Sequence, residues 1–255
     1  KKWAFITNVP KDCYQSFTIS ITKQNWPKLA ITAGLTGLLV IADQKIYDGF
    51  QRFSERNNIS TQESYNNLLQ VKLFGKETNI IKAPRNASSL FYQLGQGATG
   101  VIIGGVLFVQ GKIGHNNRSL QTASDLMEVF VSTSVISQVM KRISGRQTPG
   151  HATQAGGRWY PFPAFSDFQK RTPEFDAFPS GHLMNMMATV TVLADNYPEK
   201  KWIKPIGYAL ASMVAFSMVN NGVHWAGDYP LAIGIGYGFG KVVSARCKKV
   251  VHTHH

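Results

Sequence analysis

A chain of 255 residues can bury a core without disulfide or metal staples, and its length favours one large domain over several. With 44% hydrophobic and only 16% charged residues, it is too apolar to be a disordered chain. Lys and Arg outnumber Asp and Glu by 27 to 14, and the resulting net charge of +13 favours anionic partners: phosphate esters, acidic lipid headgroups or nucleic acid.

Residues 1–28 are mixed and polar and read as an N-terminal extension. The chain begins at Lys1 without a Met, as either a chain that had lost a leader or a partial chain would, which is only weak support for export. Cys13 and Cys247 lie near opposite ends and can bridge or stay free; two cysteines make neither a disulfide framework nor a metal site. Residues 29–247 read as a single helical domain. The run Leu29–Ala42 is nearly all apolar, and Asp43, Gln44 and Lys45 are expected to stop it. Residues 46–89 are polar with scattered aromatics and predict short helices and loops, without a period-2 stretch long enough for a sheet. A second apolar run, Ala98–Val109, is rich in Gly. From Ser119 to Ile143, Leu126, Val129, Phe130, Ile136, Met140 and Ile143 recur at helical spacing, and Gly145 follows as a stop. The connection from Gly145 to Phe178 is dense in Pro, Gly and aromatics, and irregular segments of that length are more often functional than not. Helices are then expected over Gly181–Asn196, Pro205–Asn220 and Asp228–Cys247, and residues 248–255 form a basic tail. The fold class predicted is all-α, a bundle of about six main helices. A membrane span needs about 20 apolar residues. The runs here are nearer 14, so a bundle outside the bilayer is favoured, held to anionic lipid by its positive charge.

Three short segments carry chemistry: Lys141 to Pro149, Phe178 to His182, and Ser217 to Asp228. Pro-Ser-Gly-His at a helix entry makes Ser180 an N-cap and lets the backbone come close at Gly181. Free N–H groups at a helix start bind anions, phosphate included. His182 beside such an anion can protonate a leaving oxygen. His224 and Asp228 are four apart; on a helix they would share a face, and an Asp–His bond would fix the imidazole tautomer of a nucleophile or base. Lys141 supplies a cation. Each signal alone has an ordinary structural explanation: a satisfied histidine, a solvated i,i+4 pair, a routine helix start.

Together, in this order and spacing, they resemble the signature of the type 2 phosphatidic acid phosphatase and vanadium haloperoxidase superfamily. That signature is Lys, six residues, Arg-Pro; then Pro-Ser-Gly-His; then Ser-Arg, five residues, His, three residues, Asp. Lys141 and Pro149 match the first part, Pro179 to His182 the second completely, and Ser217, His224 and Asp228 the third. The resemblance covers roughly residues 94–241. It implies a helical bundle with the site at one end and His224 as the nucleophile that takes up a phosphoryl group. Asp228 would orient His224, and His182 would be the general acid. Lys141, Ser180 and the Gly181 N–H would bind phosphate oxygens, and neither metal nor other cofactor is needed.

Two positions depart from the signature. Thr148 and Met218 stand where the family has phosphate-binding arginines. Losing one preorganised donor to a transition-state oxyanion costs about 10²–10³ in rate, so two uncompensated losses cost roughly 10⁴ or more. Arg146 is the first candidate to replace them, followed by Arg142, Arg158 and Lys170. Trp159, Tyr160, Phe162 and Phe165 would either wall an apolar chain or pack the connection onto the bundle. The expected partner is an anionic, phosphate-bearing and lipid-linked substrate at a membrane surface of the cell envelope, on the exported side. Nucleic-acid binding is disfavoured because the basic residues are scattered, and the haloperoxidase branch because vanadate needs the same cationic cage. Two functions remain: a metal-independent phosphatase, or a catalytically weakened relative serving as a binding or structural component of an envelope assembly.

Overall fold

Helix starts and stops in the sequence set the elements of the computed structural model, which describes residues 4–73, 76–95 and 97–252. Two short N-terminal helices, α1 (Ala4–Thr7) and α2 (Val9–Ser20), lead into the long α3 (Trp26–Arg56). A hairpin of β1 (Tyr65–Leu73) and β2 (Lys76–Pro84) follows, then α4 (Ala87–Gly95), α5 (Ala98–Ile113) and α6 (Asn117–Ser144). Beyond the connection, which holds the short α7 (Phe165–Lys170), come α8 (Gly181–Asn196), α9 (Ile203–Asn220) and α10 (Tyr229–His252). The fold is all-α apart from the hairpin, and the six main helices expected correspond to α3, α5, α6, α8, α9 and α10.

Local chemistry explains the boundaries that frame the site. The Asn116 side chain accepts from the Ser119 N–H at the start of α6, and Gly145 ends that helix in the left-handed region, at φ 54°. No side chain fits there, because a Cβ on Gly145 would lie 1.8 Å from the Tyr160 carbonyl oxygen. Helix α8 is central and packs on α6, α9 and α10. Its Leu183, Met184 and Met187 meet Val214 and Met218 of α9 and Ala232 of α10, while Ala188 and Val192 meet Leu126 and Val129 of α6 and Val243 of α10. The approach of α10 to α8 depends on Gly236, where a Cβ would stand 2.2 Å from the Met184 carbonyl oxygen.

The structure corrects the sequence reading in several places. The run from Leu29 does not stop at Asp43: α3 continues to Arg56, because Asp43 points inward to ionic partners, not outward as a breaker. At 31 residues, α3 is long and apolar enough to cross a membrane. Its burial is inverted. Ile31, Leu38 and Ile41 are 69%, 68% and 85% exposed, while Asp43 and Ser54 are buried completely. Exposed apolar residues recur on α5 (Ile102, Val106, Ile113), α6 (Val135, Val139, Ile143) and α9 (Ile206, Met213).

The segment read as short helices and loops contains the antiparallel β1–β2 hairpin, paired from Tyr65↔Pro84 to Leu73↔Lys76. An irregularity between Asn67 and Gln70 shifts the register and erases the period-2 pattern that would have revealed it. Arg246, expected in a solvated basic end, is paired with buried Asp12 and Glu128, and so ties α10 to α2 and α6. Asn8 Nδ2 donates to the same Glu128 at 3.2 Å. Residues 1–28 thus include a helix docked on α6 and α10. Cys13 is a free thiol. Of the tail 248–255, α10 reaches His252, and His254 and His255 lie outside the described residues.

Candidate active site

The three motif segments converge where the start of α8, the end of α6 and the α9–α10 connection meet. His224 lies in that connection, not on a helix, and Asp228 closes a single 3₁₀ turn, Ala226–Asp228. The connection is held from both sides: Val223 N donates to Met218 O at 2.9 Å and Gly150 N to Gly222 O at 2.8 Å. Gly222 sits at φ 66°, with Gly150 so near that a Cβ would lie 3.1 Å from its nitrogen.

His224 is 1% exposed. Its Nδ1 lies 2.7 Å from the Ala177 carbonyl oxygen. A carbonyl can only accept, so Nδ1 carries the proton and Nε2 keeps its lone pair. That lone pair faces His182 Nδ1 at 3.4 Å. Burial, reinforced by the Lys141 charge, draws the His224 pKa down to about 3, so the ring is neutral at physiological pH. The expected Asp228–His224 bond is secondary, since Asp228 Oδ2 stands 3.4 Å from Nδ1. That oxygen accepts instead from Trp225 N at 2.8 Å, while Oδ1 accepts from Arg146 Nη1 at 2.7 Å. The Ala177 carbonyl fixes the tautomer, and Asp228 fixes the backbone that carries the ring. Burial pushes the Asp228 carboxyl up to about 6, against the pull of Arg146.

His182 stands in the first turn of α8. Ser180 caps the helix, its hydroxyl accepting from Leu183 N and its own N–H donating to Asp228 O at 3.1 Å. Gly181 faces α6 closely, since a Cβ would lie 2.8 Å from Ser137 Oγ and 3.9 Å from Lys141 Nζ. Lys141 is therefore brought to the start of α8. It is 5% exposed and already paired: Nζ lies 2.9 Å from Asp176 Oδ1.

Arg146 is not a phosphate ligand, contrary to the sequence expectation. It is buried completely, donating to Asp228 at 2.7 Å, to Asp43 Oδ2 at 2.7 Å and to the Gly156 carbonyl at 2.8 Å. Its guanidinium also lies 4.8 Å and 5.3 Å from the ring centroids of Trp159 and Trp225. Two carboxylates distant in sequence took the donors that local spacing left open. The other stand-ins do not gather at the histidines either. Arg142 lies 3.4 Å above the Phe168 ring, Arg158 over Tyr160, and Lys170 is exposed at the end of α7. Thr148 is buried with Oγ1 3.2 Å from His151 Nδ1, and Met218 is wholly buried in the core around α8. Trp159 packs on Phe178 and Tyr160 on Phe175, while Phe162 and Phe165 are largely exposed.

Asp43 is the participant that the sequence reading missed. Its Oδ1 accepts from Gly227 N at 2.8 Å and its Oδ2 from Arg146, so it clamps the 3₁₀ turn that bears Asp228. A signal was present: an acidic residue within a long apolar helix needs an internal partner.

The sequence model of the PAP2 superfamily matches residues 123–250, half of the chain, and the chain belongs to that superfamily. Among solved structures it is similar to the first transmembrane PAP2-type phosphatidylglycerolphosphate phosphatase from Bacillus subtilis. The two are 16% identical over 97% of this chain and 98% of that one, with a TM-score of 0.42. No curated protein matches it in sequence.

Removing Asp43 leaves Arg146 buried with half its ionic partners. Asp43→Ala is expected to lower unfolding stability by about 3–5 kcal/mol; a denaturation midpoint equal to that of the parent would show that Asp43 does not anchor the turn. For His224, ¹⁵N-histidine spectra are expected to show a neutral, Nδ1-protonated ring from about pH 8 to about pH 5. A ring that titrates near the ordinary value of about 6.5 would contradict the buried neutral form.

Proposed function

We propose that the protein is a slow, metal-independent phosphatase of a lipid-linked phosphate monoester or diphosphate, embedded in a membrane of the cell envelope. The observation that carries this reading is the His224 ring, neutral, held at Nδ1 and presenting the Nε2 lone pair to His182 beside Lys141. In the first step His182 takes up a proton with the incoming phosphate ester, Nε2 attacks phosphorus, the P–O bond to the leaving group breaks, and His182 passes that proton to the leaving oxygen and returns to the neutral ring. The product is a phosphohistidine on His224. Water then attacks the same phosphorus, His182 takes its proton, and His224 leaves as the neutral ring. The carboxylate of Asp228 faces Nδ1 and eases the positive charge that develops on the imidazole. The two histidine rings are in contact, so an entering phosphate has to part them.

Slowness follows from the missing donors. With Thr148 and Met218 turned to other contacts, two oxyanion ligands are absent, and turnover is expected about 10⁴ below that of a member with both arginines. The lipid-linked substrate is supported by a cavity of about 350 Å³ between α5, α8 and α9, lined by Leu94, Ile103, Met186, Val190, Trp202 and Leu210. Gly95, on its wall, lies against His182: a Cβ there would stand 3.5 Å from His182 Cβ. A hydrocarbon chain in this cavity would place its phosphate at the histidines. Membrane embedding is supported by the inverted burial of α3 and the apolar outer faces of α5, α6 and α9, which suit lipid better than water. Apolar runs of about 14 residues favour a bundle outside the bilayer, and the 31-residue α3 removes that ground.

A weakened, binding member is the second reading. It is favoured by the pairing of Lys141 with Asp176, which leaves the site without an unpaired motif cation among the described residues.

Phosphate release by the purified protein from phosphatidic acid, a prenyl diphosphate and p-nitrophenyl phosphate separates the two, with His224→Ala as control. Turnover on a lipid substrate that vanishes in the control is expected, and activity equal to the control on all three would give the second reading. The protein is also expected to stay in the membrane pellet through alkaline carbonate washing, and release by that wash would place it on the surface instead.

A further inference from the structure

We infer that the Asp176 carboxylate is a built-in competitor of the substrate phosphate for Lys141, and so a specificity determinant of the site. The inference rests on the phosphatase reading and adds how the site chooses among anions.

Lys141 is the one signature cation left in the sequence, and its ammonium stands at the N-terminus of α8, 3.9 Å from where a Gly181 Cβ would be. That is the place for a phosphate oxygen, between a cation and the free N–H groups of a helix start. An oxygen is there already: Asp176 Oδ1, 2.9 Å from Nζ. The pair is sheltered, with side-chain exposures of 6% for Lys141 and 28% for Asp176.

The backbone holds Asp176 in place. Phe175 N donates to Thr172 O, Ala177 N to Arg146 O, and Ala177 O accepts the Nδ1 proton of His224. The residue next to Asp176 thus orients the His224 ring. The Asp176 charge also acts on His224, where it opposes part of the lowering due to burial. Around His224, two cations (Lys141 and Arg146) stand against three carboxylates (Asp43, Asp176 and Asp228). An incoming phosphate must break the Lys141–Asp176 pair and approach a carboxylate of like charge. A free anion brings only its charge to that exchange. A lipid-linked phosphate brings the burial of its chain as well, and that additional binding can drive the displacement. Asp176 therefore excludes inorganic phosphate and small soluble esters, and admits phosphates attached to an apolar anchor.

The test is the affinity of purified full-length protein for orthovanadate, read by fluorescence of Trp159 and Trp225, for the parent, Asp176→Asn, Asp176→Glu and Asp176→Asn/Lys141→Gln. Removing the like charge and freeing the cation is expected to tighten vanadate about tenfold or more in Asp176→Asn. Asp176→Glu should bind as the parent does, and the double variant should lose the gain. Asp176→Ser replaces Asp176→Asn if the latter does not fold. Where turnover is measurable, the neutral variant should also narrow the kcat/KM preference for phosphatidic acid over p-nitrophenyl phosphate. Vanadate binding in the neutral variant equal to or weaker than that of the parent would overturn the inference, even with turnover intact. Tighter vanadate binding in a protein that hydrolyses nothing would sustain the competitor and remove the phosphatase.

Discussion

Arg146 is the residue around which the site is assembled. Its guanidinium, buried completely, joins Asp43 of α3, Asp228 of the α9–α10 connection and the Gly156 carbonyl of the long connection. Stripping water from three charges costs several kcal/mol per ion, which close geometry recovers only if the remaining donors and acceptors are also satisfied. Here most are. Asp43 takes Gly227 N on its other oxygen, Asp228 takes Trp225 N, and two tryptophan rings flank the cation. A hydrophobic core would permit several packings of these three segments, whereas two carboxylates sharing one guanidinium at 2.7 Å permit far fewer. The position of His224 follows, because its ring is carried by the turn that Asp228 pins.

The same constraint explains why the connection from Gly145 to Phe178 is ordered although little of it is regular. Gln147 Oε1 accepts from Thr153 N, Thr153 Oγ1 and Arg158 N, and Gln147 O accepts the Trp225 indole proton at 2.8 Å. Backbone bridges from Arg146 to Trp159 and Asp176 join the two ends of the segment. A buried backbone must find partners somewhere. In this segment side chains and short bridges supply what a helix or sheet would supply elsewhere. The result is a rigid mount for the Ala177 carbonyl and the Asp176 carboxylate.

What the sequence discloses and what it hides divide along sequence separation. The superfamily and the six main helices are legible because they are written locally: Pro-Ser-Gly-His is four consecutive residues, and helical periodicity needs only a dozen. Lys141 is legible as a site residue because its spacing to Pro149 belongs to a recognised signature. The Arg146–Asp43 pair joins residues 103 apart, and nothing local tells an arginine that will bind substrate from one that will be buried between carboxylates. Asp43 reads as the end of an apolar run because acidic residues usually are. The hairpin is hidden by a register irregularity at Asn67 to Gln70. The Asp228–His224 bond is expected from an i,i+4 spacing that presumes a helix, and the chain forms a 3₁₀ turn there instead.

The departures at Thr148 and Met218 then become consistent with the rest of the site. An arginine at 218 would have to leave a core where Met218 packs among Leu183, Met184 and Val214, so its replacement is built into how α8 and α9 pack. With both arginines gone, an unopposed Lys141 would be a single buried cation at a helix N-terminus, and Asp176 neutralises it. Neutralisation stabilises the empty site, and on the inference drawn above it does so at the cost of anion affinity, because the carboxylate that pairs with the lysine would resist a phosphate. A site with three cations needs no such counter-charge and can hold phosphate by charge alone. On the phosphatase reading, a site reduced to one cation, and that one paired, has to draw its binding from elsewhere, and the apolar cavity whose wall at Gly95 meets His182 is where this fold would offer it.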